Sequence, residues 1–221
     1  MNTFRLSTAA LALVPVLALG AAATSAQAED FVPKSKGMIV VNTRVTNVNP
    51  DVNDAIKTAA GADTGLKVDV KDDTKPTLGF TYFFTDNIAV EAILGTTQHS
   101  IYAKGPGTNV LVHKTWVLPP VVTAQYHFNP KGKISPYVGA GVNAMIFYNG
   151  KDKHGFKVDV DNDLGYALQA GVDVALKGRW TLNADVKKVF FETNAKINDG
   201  ALKSKVNLDP WVVSVGVGYR F

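Results

Sequence analysis

The sequence predicts an all-β fold: an eight-stranded antiparallel transmembrane β-barrel with four long outer loops and three short periplasmic turns. Three observations predict it. The N-terminus reads as an export signal. No later apolar run reaches the length of a membrane-spanning helix. Stretch after stretch then alternates bulky apolar residues with small or polar ones.

The export signal comes first in the chain. Arg5 is the only charge in the first 28 of 221 residues. Leu11 to Ala23 carries no charge and is rich in Leu, Val and Ala. Ala26-Gln27-Ala28 then places small residues at the two positions a signal peptidase reads. The expectation is a cleaved signal peptide over 1–28 and a barrel over 29–221. The apolar run is too short for a membrane anchor, which wants about 18 or more apolar residues. The chain has no cysteine, so neither a lipid anchor on cysteine nor a disulfide framework is available to it. A formal charge of +4, spread along the chain, gives no argument for nucleic acid.

The strands follow in order. Ile39, Val41, Thr43 and Val45 face away from Val40, Asn42 and Arg44. Leu78, Phe80, Tyr82 and Phe84 alternate with Thr77, Gly79, Thr81 and Phe83. Val90, Ala92 and Leu94 oppose Ala89, Glu91 and Ile93. Leu118, Val122, Ala124, Tyr126 and Phe128 alternate with Val121, Thr123, Gln125 and His127. Val138 to Ile146 alternates with Tyr137, Gly139, Gly141, Asn143, Met145 and Phe147. Tyr166 to Leu176 alternates with Gly165, Gln169, Gly171 and Asp173, and Leu182, Ala184 and Val186 with Asn183, Asp185 and Lys187.

The eighth strand carries the clearest signal. Trp211, Val213, Val215, Val217, Tyr219 and Phe221 are bulky, and Ser214, Gly216, Gly218 and Arg220 lie between them. A soluble barrel would expose Lys, Glu or Thr on its second face. Small residues instead suit a crowded lumen, with the bulky set facing lipid. Tilted by about 40°, this strand rises roughly 25 Å, the height of the apolar band of such barrels. Aromatic residues at both of its ends match the interfacial girdles.

The connections alternate in length. Those at Thr85-Asp86-Asn87, Asn129 to Lys133 and Lys177-Gly178-Arg179 are short. Asn49 to Gly65, Thr96 to His113, Asn149 to Asp163 and Asn198 to Asn207 are longer and polar. Short turns lie on the periplasmic side and long loops outside, which puts both termini in the periplasm of a Gram-negative cell. Asp54 to Ala60 is compatible with a helical turn.

Four stretches carry a resemblance to a known family. They are Val45-Thr46-Asn47-Val48-Asn49-Pro50-Asp51, Leu118-Pro119-Pro120, Pro136-Tyr137-Val138-Gly139-Ala140-Gly141-Val142-Asn143, and Val215-Gly216-Val217-Gly218-Tyr219-Arg220-Phe221. In these the sequence resembles the OmpW family of small outer-membrane proteins, over nearly the whole mature chain. The resemblance implies location in the outer membrane, a narrow barrel with an apolar upper lumen, and passive uptake of small hydrophobic molecules. It also implies that these leave sideways through the wall into the bilayer. Tyr219 and Phe221 look like the C-terminal signal read by barrel-insertion machinery. The partners implied are that machinery, outer-membrane lipid with lipopolysaccharide, and the apolar solutes.

Leu118, Pro119 and Pro120 are the lateral-gate candidates. Proline cannot donate to a ladder, and a closed barrel has no edge to hide it. Two readings stand: a local parting of the wall, or a strand that begins near Val121 with the prolines ending the preceding loop. Arg44, Glu91, Gln125, His127, Gln169, Asp173, Asp185 and Lys187 are the inward polar set. Both signs are present, so they are read as a hydrogen-bonded plug filling the lower barrel, in preference to a polar pore. Ile101, Tyr102, Met145 and Phe147, near the loop bases, are the apolar-pocket candidates.

Other motifs carry less. Asp159, Asp161 and Asp163 have calcium-loop spacing, but Leu164 stands where Gly is needed and Ala170 where Glu is needed, so they read as a solvated acidic loop. His99, His113, His127 and His154 lack metal-like spacing, and no nucleophile constellation is present. No enzyme activity, metal or cofactor is expected. The rivals to a conduit are a structural, receptor or adhesin barrel without transport, and a soluble periplasmic carrier.

Overall fold

The computed structural model describes residues 31–221. The expected signal peptide, 1–28, lies outside the described residues. Eight strands close into a barrel: β1 (Ile39–Asn49), β4 (Asp73–Phe83), β5 (Ile88–Leu94), β8 (Val121–His127), β9 (Ile134–Asp152), β11 (Asp163–Ala175), β12 (Trp180–Phe190) and β15 (Trp211–Arg220). Each pairs antiparallel with the next, and β15 returns to β1 over Val40↔Arg220 to Asn49↔Trp211. Closure leaves no free sheet edge along these ladders, so the backbone paired in them is satisfied by its neighbours.

The burial pattern fixes which way the faces point. Val45, Val142 and Val215 are 62%, 62% and 60% exposed, whereas Arg44 and Asn143 are 2% exposed. A water-soluble protein would bury the valines and expose the arginine. The inversion removes the soluble-carrier reading. Exposed aromatic residues form two belts: Tyr82, Phe84, Tyr126, Phe128, Trp180 and Phe221 on the turn side, and Tyr148, Tyr166 and Trp211 on the loop side. Lys188 snorkels to the outer belt, its Nζ 5.0 Å from the Trp211 ring centroid.

The segments expected to be long polar loops are largely strands, which corrects that expectation. β2 (Ala55–Thr58), β3 (Asp63–Val70), β6 (Thr97–Gly105), β7 (Thr108–Leu118), β10 (Val158–Val160), β13 (Glu192–Ile197) and β14 (Leu202–Asn207) extend the wall outward. The helical turn over Asp54 to Ala60 is also corrected, because β2 occupies it. The physical reason is a period-2 pattern hidden among lysines. Ile56, Val68, Ala103, Val112, Ile197 and Val206 all turn inward and cluster, so these hairpins bury an apolar face against one another.

Candidate functional site

The lumen has two floors of opposite chemistry. In the lower one, the eight inward polar residues are all buried and connected. Arg44 donates to Glu91 at 2.5 Å and to Asn183 at 2.6 Å. Gln169 donates to Glu91 at 2.8 Å and to Asp185 at 2.6 Å, and Gln125 donates to Glu91 at 3.1 Å. Lys187 pairs with Asp185 and lies 3.5 Å from Glu91. Each charge therefore has an opposite charge or donor beside it, the condition under which buried ions are tolerated.

Several members of this network were not singled out in the sequence. Tyr137 crosses the lumen to donate to Asp185 at 2.9 Å. It can do so because Gly171 lies beneath its ring, where a Cβ would meet the ring at 2.4 Å. Gly79 likewise leaves room for Arg44. Lys34 is 1% exposed and reaches in from the segment before β1, donating to Asp173 at 2.6 Å and Ser135 at 2.9 Å, with His127 at 2.8 Å. That segment is tied to the turns by Val32 N–H to Gly178 O and Lys34 N–H to Pro130 O. No strand periodicity marks Lys34, so only the fold reveals it. Asn183 was legible as an inward residue of the seventh alternating stretch. The free space left among these groups is about 10 Å³, room for roughly one water at most.

Above this lies an apolar chamber with about 70 Å³ of free volume. Ile101, Tyr102, Met145 and Phe147 all line it, together with Val112, Val117, Ile197, Val206 and Pro119. Its few polar lining groups are turned into the wall. Thr97 bonds His99, and His99 bonds Lys71 O. Thr115 donates to Trp116 O, Thr193 to Asp161 O and Ser204 to Ala55 O. The chamber consequently offers a guest dispersion and desolvation, and few free hydrogen-bonding groups.

The wall beside the chamber is incomplete at the prolines. Ile93 faces Val121 on β5 and β8, and Thr97 faces Val117 on β6 and β7, in one unbroken register. Between them, Leu94, Gly95 and Thr96 face Pro120, Pro119 and Leu118 with no ladder. The prolines thus interrupt what is otherwise one long strand and do not end a loop. On the other flank the β4–β5 ladder stops at Leu78↔Leu94, so Gly95 and Thr96 have no ladder partner on either side. Toward β9 the wall holds, through Leu118↔Ile146, Val121↔Asn143 and the Ala144 N–H to Pro120 O bond of 3.1 Å. At about 2.5 Å of rise per tilted residue, this window sits roughly 8 Å inside Trp116, which stacks on Tyr148 of the outer aromatic belt, and so within the apolar band. Tyr219 and Phe221 lie at the opposite end, with Phe221 63% exposed to the lipid face.

Comparison with known proteins agrees with this architecture. The model of the OmpW family matches residues 35–221. The uncharacterized outer-membrane protein y4mB of Sinorhizobium fredii is 41% identical over 214 residues, 92% of this chain and 91% of that one. The dibenzothiophene metabolism operon protein PahQ of Pseudomonas aeruginosa is 28% identical, over 80% of this chain and 85% of its own. The crystal structure of the outer membrane protein OprG from Pseudomonas aeruginosa superposes with a TM-score of 0.80 at 28% identity, covering 86% of this chain and 98% of that one.

Proposed function

The chain belongs to the OmpW family of outer-membrane β-barrels, and we propose that it is a passive conduit for small hydrophobic molecules. A solute partitions from outside into the apolar chamber, driven by loss of water from its surface. The charged network below is the floor: an apolar guest there would have to break charge-assisted hydrogen bonds without replacing them. The exit is sideways, through the window where Gly95 and Thr96 face Pro119 and Leu118. Its backbone groups lack ladder partners, so parting it costs fewer hydrogen bonds than parting any neighbouring stretch of wall.

The observation that carries this reading is the juxtaposition itself. Pro119 and Thr97 both line the chamber and border the unladdered window. The kinship with a protein named for a dibenzothiophene metabolism operon supports an apolar, aromatic type of cargo. The chamber's small free volume means that side chains such as Phe147 move aside as a solute passes.

The test is uptake of a small apolar reporter into liposomes holding the refolded protein. Pro119→Ala/Pro120→Ala returns an N–H donor to the seam at position 119, since Pro120 already faces β9 through its carbonyl, and should cut uptake by about fivefold or more, equivalent to about 1 kcal/mol of extra wall stability. A Thr96→Cys/Leu118→Cys pair, in a chain without other cysteines, should close the seam under oxidation and release it on reduction. Folding is checked by heat-modifiable gel migration. Unchanged uptake in both folded variants would discard lateral exit and keep the conduit. No uptake above empty liposomes with the unaltered protein would favour a structural or receptor barrel.

A further inference from the structure

Asn143 stands between the two floors of the lumen and is joined to neither. It turns inward from β9 and is 2% exposed, yet neither its Oδ1 nor its Nδ2 has a hydrogen-bond partner in the protein. Its neighbours explain this. In register it faces Val121 on β8 and Gly165 on β11. Gly165 has no side chain to offer, and a Cβ there would meet the amide Oδ1 at 2.5 Å. Met145, the next inward residue toward the loops on β9, lines the chamber. Val121 and Met145 both belong to the apolar cluster. Two residues below Val121, Thr123 gives its hydroxyl to Gln169 at 2.6 Å and so belongs to the floor. A buried amide without partners is costly, the more so in apolar surroundings.

The position also lies on the route to the window. Val121, its partner in register, follows Pro120 directly, and the N–H of the adjacent Ala144 holds the Pro120 carbonyl at 3.1 Å. Ile93, two residues before Gly95, pairs with Val121 in turn, so the window is two strands over from Asn143. The backbone groups of Gly95 and Thr96 there have no ladder partners. A guest leaving the chamber therefore meets one unpaired amide at the base and unpaired backbone groups at the exit, with hydrocarbon around both.

We propose that Asn143 is the polar recognition residue of the conduit, and that it selects small apolar molecules carrying one neutral hydroxyl group, such as phenols and alcohols, over bare hydrocarbons. This rests on the conduit reading. A primary amide presents an acceptor and two donors, and a hydroxyl answers both: its O–H donates to Oδ1 and its oxygen accepts from Nδ2. The match holds for either orientation of the amide. A charged group is excluded, because the apolar chamber would strip its water and return nothing. A bare hydrocarbon leaves the amide unpaired, and a site built around a buried polar group rejects the analogue that lacks its complement.

The test uses naphthol and naphthalene, which share a ring skeleton and differ by one hydroxyl. Each uptake rate into liposomes holding the refolded protein is taken relative to that probe's rate in empty liposomes. The protein should favour naphthol by about fivefold, the size of one hydrogen bond. Asn143→Leu should remove that preference by slowing naphthol alone, and Asn143→Ser, which keeps a donor and an acceptor, should retain part of it. Asn143→Leu takes an unpaired amide out of apolar surroundings, so it should fold as well as the parent, checked by heat-modifiable migration. In the parent labelled with nitrogen-15 at asparagine, naphthol should shift the side-chain amide signal that both variants lack, and naphthalene should leave it in place. Equal preference for the two probes in the parent, or a folded Leu variant that keeps the parent's preference, overturns the proposal and leaves the conduit standing. An amide signal unmoved by naphthol overturns it too and assigns Asn143 to a structural water. Uptake of neither probe above empty liposomes overturns the conduit and this proposal together.

Discussion

The lower half of the lumen is enclosed by the eight barrel strands and the upper half largely by the seven outer strands that extend them, yet one is filled with ions and the other with hydrocarbon. The lower half is narrow and rigid: Arg44, Glu91, Asp185 and Lys187 hold one another at the barrel axis. The upper half is mostly apolar: Val112, Val117, Met145 and Phe147 belong to one apolar cluster and line a chamber with about 70 Å³ free. The difference teaches that strand closure alone does not decide permeability. An ion network ties each strand to several others at fixed distances, while an apolar lining can shift side chains at low cost. The break in the wall lies at the level of the soft half, where the proposed guest would meet it.

The comparison can be broken most severely at the floor. Arg44→Met leaves Glu91 buried beside a lost cation and should cost about 3–5 kcal/mol of stability. Denaturant unfolding followed by tryptophan fluorescence reads this. A cost under about 1 kcal/mol would mean the network does not hold the lower barrel together. The upper half should answer differently to a new charge. Val112→Asp, at a position 3% exposed and lining the chamber, should lower apolar uptake by about tenfold or more while the barrel still migrates as folded. Near-normal uptake would remove the chamber from the route.

A milder change sharpens the contrast. Phe147→Ala trims the chamber and should cost about 2–3 kcal/mol at most, since Phe147 is only partly buried. It should also raise uptake of bulkier aromatic reporters two- to threefold, by about 0.5 kcal/mol of removed obstruction. A fall in uptake would show that Phe147 holds the guest instead of obstructing it.

The smallest effect is expected at the outer rim. Burial pushes the Asp69 carboxyl up, but hydrogen bonds from Lys104 and Lys71 outweigh this and hold it below its ordinary 3.8. A depressed carboxylate contributes stability above its unfolded pKa and loses it as pH falls through the lower folded value. The β3–β6 contact should therefore be steady from neutral pH to about 4 and loosen below that. The cost should stay under about 1 kcal/mol, because the group is partly exposed. Hydrogen exchange of β3 amides, compared at pH 5 and pH 3, reads it. Loosening already at pH 5 would assign it to another group.

Much of the fold was legible because a membrane barrel writes its environment on alternate residues. Lipid demands bulky apolar side chains at Val213, Val215 and Val217, and a narrow lumen demands Ser214, Gly216 and Gly218 opposite them. The eight inward polar residues stood out for the same reason. The outer strands were missed because lysines on their outer face give these segments the composition of loops. Lys34 was missed because it precedes the first alternating segment.

The sequence by itself determined the barrel, its strand count and the inward set, since each is a local consequence of period-2 patterning against lipid. It also marked Pro119 and Pro120 as residues that cannot complete a ladder. Only the tertiary structure decided what those features do together. Register, which no local pattern specifies, set Gly95 and Thr96 opposite the prolines and left them unpaired on both sides. It also set Gly165 and Val121 beside Asn143 and left that amide without a partner. Pairing between distant strands depends on closure of the whole barrel, and closure is a property of all eight strands at once.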